Sequence, residues 1–444
     1  MKTPDQARAL VEDMVTRARR AGADAADAGF STHAALHVAV RLGALEDVGR
    51  SETEDLALRV FCGRRNASVS TSDLASDALD SLVDRAIRMA REAPEDKWAG
   101  LAPAARLLHG APPLLDLADR DEATPERLKA LALEAEDAAR AVDGVTNSEG
   151  AGASTSRAVS AIATSHGFVG GYEMTRHGLH ASVLAGQAGA MERDSAHHST
   201  RYAAALESPA AIGRRAGERA VARLNPGRVA SGAMPVVFDA RVGGSLLGHL
   251  LGAIAGGSIT RRTSFLLDAL GTQVFARGVT IVDDPHRPRG LRSRPFDGEG
   301  LPVSPTAIVE DGMLETWLLD SAAARQLGLE PTGHAARGGG VTTSNLSMAP
   351  GNVPPETLIA DIERGVIVTE LIGQGVNLTT GDYSRGASGF LIEQGEITRP
   401  VSEFTVAGNL RDMFRNLTPA NDLHYRYGVD VPTLRIEGMT VASG

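Results

Sequence analysis

Residues 245–258 read SLLGHLLGAIAGGS. Leucines and small residues repeat at helical spacing around one histidine, His249, and the run follows an alternating apolar segment, MPVVFDA (234–240). A strand that feeds an apolar, glycine-rich helix is a layered α+β arrangement with the helix packed on a sheet. The question it raises is chemical. A zinc peptidase helix carries two imidazoles on one face and a Glu beside them to take a proton from the metal-bound water. Here the positions four and five residues beyond His249 are Ala253 and Ile254, and no Asp or Glu lies between Arg241 and Thr263. On residue chemistry alone the helix is not a metal site, and a lone histidine on an apolar helix is ordinarily a packed core or interface residue.

Downstream of this helix the chain is β-rich. IVEDGMLETWLL (308–319) and FLIEQGEITRP (390–400) each place a Gly-containing pair between apolar runs, the pattern of a tight hairpin. TTSNLSMAPG (342–351) reads as a strand, and one helix is expected near Pro355–Gly365.

Upstream, Thr3, Pro4 and Gln6 open a helix whose apolar face is Ala7, Leu10, Val11, Met14, Val15 and Ala18, ending at Gly22. ALHVAVRLG (35–43), DLALRVFCG (55–63) and NASVSTS (66–72) alternate as strands, and a helix from about Ser72 stops before Pro94. Residues 94–122 show no period and read as a linker or surface excursion. Helices from Thr124 and from Pro209 to about Leu224 flank further alternating segments. The turn-rich NPGRVASG (225–232) marks the main break. The expected organisation is an α+β domain over 1–228, with a possible sub-boundary at 94–122, and a β-rich domain over 229–444.

Composition narrows the function. The chain has 444 residues, a net charge of −10 and one cysteine. The acidic balance argues against nucleic acid, and HRPRGLRSR (286–294) reads as a solvated basic loop. One cysteine, Cys62, excludes an internal disulfide and a Cys-based zinc cluster, and it reads as a small core residue in a reducing compartment. No run reaches ~18 consecutive apolar residues, and the N-terminus lacks a signal-peptide core, so a cytoplasmic protein with no membrane role is expected. A nucleophile elbow and a phosphate loop are both missing; Ser245 lacks the second glycine.

Several separate segments resemble one family. GHLLGAIAGGS, TSFLLDALGTQV, PFDGEG, EDGMLETWLLDS, ARQLGL and TGHA are similar, in order and spacing, to the TldD/PmbA metallopeptidases. The resemblance implies a bacterial peptidase of two related subunits. The TldD-like branch carries an HExxxH helix that binds zinc with a C-terminal cysteine; the PmbA (TldE) branch is its pair and lacks that set. With the shared glycine placed on Gly252, Gly248 stands where the first zinc histidine would be, His249 where the Glu would be, and Ala253 where the second histidine would be. The C-terminal NDLHYRYGVDVPTLRIEG has no cysteine. The chain therefore matches the PmbA branch. No catalytic residue, metal or cofactor is expected in it, with zinc in the partner subunit.

Candidates for contact with peptide or subunit are His249, His334 beside Gly338–Gly340, Asn345, and Asp382, Tyr383 and Arg385 in the polar run GQGVNLTTGDYSRGASGF (373–390). His197 and His198 lie between a strand and a helix, and adjacent side chains rarely chelate one ion. Three functions follow. The first is a non-catalytic subunit pairing with a TldD-like partner to process unfolded or leader peptides. The second is an autonomous peptide-binding homodimer. The third is a peptidase with a non-standard metal site built from dispersed histidines such as His249 and His334.

Overall fold

The computed structural model describes residues 1–187 and 189–443. Its N-terminal half is one antiparallel sheet with helices against it. Helix α1 (Pro4–Arg20) opens with the expected capping box between Thr3 and Gln6. Strands β1 (Ala25–Arg41), β2 (Ala44–Cys62) and β3 (Arg65–Thr71) follow, then α2 (Ser76–Glu92), α3 (Pro125–Arg140), β4 (Val145–Thr164), β5 (Val169–Ala185), β6 (Glu192–Thr200) and α4 (Pro209–Ala222). The sheet runs β3-β2-β1-β4-β5-β6. Two cores form on it. Helices α1 and α2 bury Val11, Met14, Leu82 and Ile87 against Phe30, Leu56 and Leu58. Helices α3 and α4 bury Leu128 and Ile212 against Val38, Leu179 and Val183. Gly213 lets α4 approach α3 closely, since a Cβ there would stand 2.0 Å from the Ala135 carbonyl oxygen.

The C-terminal half continues with β7 (Gly232–Phe238), α5 (Ala240–Ile254), α6 (Gly256–Thr260), β8 (Ile281–Asp284), β9 (Thr306–Glu310), β10 (Met313–Leu314), α7 (Ser321–Leu327), β11 (Asn345–Met348), α8 (Pro355–Ile359), β12 (Arg364–Ile372), β13 (Asp382–Glu393), β14 (Glu396–Asn409), α9 (Leu410–Arg415), β15 (Leu417–Pro419), β16 (Val429–Asp430) and β17 (Leu434–Ser443). Its larger sheet runs β14-β13-β12-β7-β17-β15, and β14 also pairs with β17. Five of these strands thus close on themselves, which removes most of the free edge. The smaller sheet runs β10-β9-β8-β11-β16. Helix α5 joins them: Leu246, Leu247, Leu250, Ala253 and Ile254 share one buried core with Phe238, Val368, Phe404, Ile308 and Leu346. Both expected hairpins form. Their turns use Asp311 and Gly312 (φ 46° and 82°) and Gln394 and Gly395 (φ 53° and 78°), the left-handed pair a two-residue hairpin needs.

Several expectations are corrected. The first two strands are roughly twice as long as read: the opening stretch of β1 is a nearly continuous buried run and that of β2, ALEDVGRSETE, is wholly exposed or half-exposed, so neither shows an apolar alternation. The helix near Pro355 has only five residues and yields to β12. His197 and His198 are not between elements; they sit on β6, with His197 opposite His180 of β5. Cys62 is half-buried at the rim of the α1–α2 core.

Residues 94–122 act as a strap between the halves. Arg325 of α7 donates to the carbonyls of Trp98, Gly100 and Leu101, and Leu108 N–H donates to Gly300. The basic stretch 286–294 is not simply solvated. Arg294 donates to the Gly333 and Thr342 carbonyls, and Arg287 stacks on the Tyr425 ring at 3.7 Å.

Candidate functional site

Helix α5 starts where β7 ends. Asp239 caps it by accepting from Arg241 N–H at 2.8 Å, and the leucines of one face then anchor it in the core. Ser245 Oγ donates back to the Val242 carbonyl, so it is no free nucleophile. Gly248 lies on the exposed side, where a Cβ would meet nothing within 4 Å. Ala253 is fully buried. His249 stands between these faces, half-buried, with its ring edge-on to Tyr383 at 5.9 Å between centroids.

Tyr383 and Arg385 are two apart on β13, so their side chains leave the same face of the strand. The structure therefore brings together three of the residues singled out from sequence. Tyr383 is 2% exposed. His249 Nε2, the Tyr383 hydroxyl and Arg385 Nε are all buried without a hydrogen-bond partner among the described residues. Burial pushes the Tyr383 phenol up to about 12, against the nearby Arg385 guanidinium, which favours the phenolate. Arg385 is close enough to act on that hydroxyl, yet no hydrogen bond of acceptable geometry closes between them. Burial, and then Arg385, hold His249 below its ordinary value and so favour the neutral ring.

The other candidates stand elsewhere. Asp382 points away from this group and is exposed; it accepts from Thr380 Oγ1 at 2.6 Å and from Asn409 Nδ2 at 3.2 Å. His334 does not face a groove. It is 2% exposed, with Nδ1 2.9 Å from Thr332 Oγ1 and Nε2 3.4 Å from Asp283 Oδ2. Asn345 is also buried: it accepts from Arg292 N–H and donates to the Asp284 carbonyl and Ser293 Oγ, tying the basic loop to β11. At 2% and 1% exposure, both side chains are engaged inside the fold rather than turned to an open groove.

Zinc does not fit at α5. The three register positions offer a hydrogen, an imidazole and a methyl group, and the nearest polar neighbours are a phenol held protonated and a guanidinium. Neither ligates zinc in that form. Nor do His249 and His334 assemble a site of their own: among the described residues no group of three or more His, Cys, Asp or Glu is placed to hold a metal ion.

One feature escaped the sequence reading. The strand β6 lines a cleft of about 610 Å³ between the halves, with His180, His197, Arg219, Arg223, Arg241 and Glu370 around it. ERDSAHHST buries only Ala196, so its period gave no signal.

Comparison with known proteins agrees over the whole chain. Residues 231–443 match the PmbA/TldA metallopeptidase C-terminal domain, 119–224 its central domain and 26–90 its domain 1. Metalloprotease PmbA of Escherichia coli O157:H7 is 39% identical over 440 residues, covering 98% of this chain and 96% of that protein. The Metalloprotease PmbA homolog of Haemophilus influenzae is 36% identical over 438 residues, with the same coverage, 98% and 96%. A crystal structure from Bacteroides thetaiotaomicron, described as that of a candidate modulator of DNA gyrase, superposes with a TM-score of 0.93 at 27% identity, covering 100% of both chains. No helix of the described residues is long and apolar enough to cross a membrane. By sequence and by fold, the chain belongs to the PmbA/TldD metallopeptidase family and matches relatives named PmbA from end to end.

Proposed function

We propose that this chain is the PmbA (TldE)-type subunit of a cytoplasmic metallopeptidase, paired with a TldD-like subunit that holds the zinc. The observation that carries this reading is the donor set of α5. Gly248, His249 and Ala253 occupy the register of a zinc-binding helix without its ligands or its general base. The chain's own work is then assembly and the holding of an unfolded or leader peptide.

The edge of β12 supports the peptide-holding part of this reading. Its pairing with β7 ends at Val368, while its pairing with β13 runs on to Ile372. Thr369 and Glu370 line the cleft between the halves, and Ile372 is 57% exposed. A short unpaired strand edge accepts an extended main chain with little regard to sequence. Closure of five strands removes most other places for such an addition, with β15 left as a short outer strand.

The test is reconstitution. Alone, the chain is expected not to cleave casein or a flexible peptide and not to retain stoichiometric zinc. Mixed with the TldD-like protein of the same organism, it should co-purify and yield an activity that a zinc chelator abolishes. Turnover by the lone chain with zinc bound to it would overturn the proposal. Peptide binding by a homodimer, with no gain on mixing, would replace it with the scaffold function.

A further inference from the structure

The group formed by His249, Tyr383 and Arg385 has a polarity of its own. Each contributes a buried polar atom with no partner: an imidazole nitrogen, a phenol and a guanidinium N–H. A guanidinium N–H can only donate, a protonated phenol donates to an oxygen that carries no proton of its own, and a neutral imidazole donates from Nε2 when its other nitrogen is bare. Among the described residues no carboxylate or carbonyl answers them, and the Arg385 guanidinium next to the Tyr383 oxygen makes no hydrogen bond to it. The charged neighbour that acts on both His249 and Tyr383 is Arg385, and no carboxylate acts on either. Asp382, the adjacent acid in sequence, is turned to the opposite face and engaged by Thr380 and Asn409. Leaving such donors buried and unpaired costs roughly 1–3 kcal/mol each, so the arrangement is one that a missing acceptor would complete. The three donor atoms are buried, and the surface nearest them is the half-exposed flanks of His249 and Arg385 and the open space over Gly248, from which an acceptor would enter.

We infer that His249, Tyr383 and Arg385 form a binding site for a peptide carboxylate, in which the guanidinium and the phenol hydroxyl donate to its oxygens and the imidazole completes the set. A carboxylate supplies two oxygens with lone pairs enough for all three donors, and its charge answers an arginine that has no counter-ion among the described residues. The choice of a peptide as the carrier rests on the proposed function. The carboxylate itself can be a chain terminus or an internal acidic side chain, and the experiment separates the two.

The full-length chain is titrated, with fluorescence anisotropy as readout, into three N-terminally labelled, unstructured Ala/Ser/Gly decapeptides. The first has a free C-terminus, the second is C-terminally amidated, and the third is amidated with one internal Glu. The free-terminus probe is expected to bind about 10-fold or more tightly than the plain amide, the ratio a charge-assisted hydrogen bond gives. Tight binding of the third probe alone would assign the site to acidic side chains. Arg385→Gln and Tyr383→Phe are each expected to weaken the preferred probe about 10-fold while leaving the plain amide unchanged. If Arg385→Gln fails to fold, Arg385→Lys and Tyr383→Phe carry the test. Equal binding of all three probes, or a preference that survives both substitutions, overturns the inference. Because these are measured on the lone chain, they separate from reconstitution. Lost selectivity with an active mixed enzyme sinks only the carboxylate site, whereas selectivity without activity on mixing sinks only the subunit role.

Discussion

Two histidines of the C-terminal half are partly or wholly removed from water, and they are treated in opposite ways. His334 has a partner at each nitrogen, Thr332 at 2.9 Å and Asp283 at 3.4 Å, and Asp283 also accepts from Ser344 N–H at 2.7 Å. His249 has Nε2 buried and unanswered, beside two other donors in the same condition. A polar group that is buried and satisfied holds the fold in one arrangement. One that is buried and unsatisfied weakens the fold unless something outside the chain completes it. The difference separates scaffold from site, and it does so against the sequence, where glycine-flanked His334 looks the more functional of the two.

The comparison breaks first if the partnered histidine proves dispensable. Asp283→Ala removes a buried acceptor and orphans both His334 Nε2 and the Ser344 N–H. It is expected to cost about 3 kcal/mol, read as a fall in the urea midpoint at pH 7. A midpoint unchanged would show that partners alone do not make a scaffold residue. Glu207 sharpens the same point between the halves of the molecule. Burial alone would raise its carboxyl, but Arg426 and Arg215 outweigh it and bring it from 4.5 down to about 2. Its folded value is therefore depressed. The stabilisation is complete above the unfolded value of 4.5 and is lost as pH falls from 4.5 through about 2. With its side chain 29% exposed, the contribution is at most about 3 kcal/mol. The stability gap between the native chain and Glu207→Gln should be full at pH 7 and close over that window; a gap independent of pH would remove the ion pairs as its cause.

What the sequence made legible follows from range. The hairpins at Asp311–Gly312 and Gln394–Gly395 and the capping box at Thr3 and Gln6 depend on residues a few positions apart, and they form as read. Helix α5 was legible because its apolar face is continuous. The long ribbon of β2 was not, since an exposed strand has no burial to impose a period. At the site, Tyr383 and Arg385 were visible only as part of a polar run; that they meet His249 depends on β13 lying near α5. The burial of His334 was invisible for the same reason, since its partner Asp283 comes from β8, on the far side of β9, β10 and α7.

On the unpartnered side the expected effects are smaller, and their sign is the point. His249→Ala deletes a half-buried ring that contacts Tyr383 and makes no hydrogen bond at Nε2. It should cost about 1 kcal/mol of stability through lost packing and leave kcat of the reconstituted enzyme at saturating peptide largely intact, any loss falling on KM. A fall on the order of 10²-fold or more in turnover, the loss expected on removing a proton-transfer group, would make His249 part of the chemistry.

Tyr383→Phe goes further, because it removes only an oxygen. The ring stays in a core position that is 2% exposed, and the hydroxyl it loses has no partner to orphan. Deleting an unsatisfied buried hydroxyl is expected to leave the urea midpoint unchanged within about 0.5 kcal/mol or to raise it. The same substitution should weaken binding of a carboxylate probe. Stability held or gained together with affinity lost is the signature of a group kept for a ligand rather than for the fold. A clear destabilisation would mean that the hydroxyl already has a partner inside the protein, such as an ordered water, and would place Tyr383 with His334 on the scaffold side of the comparison.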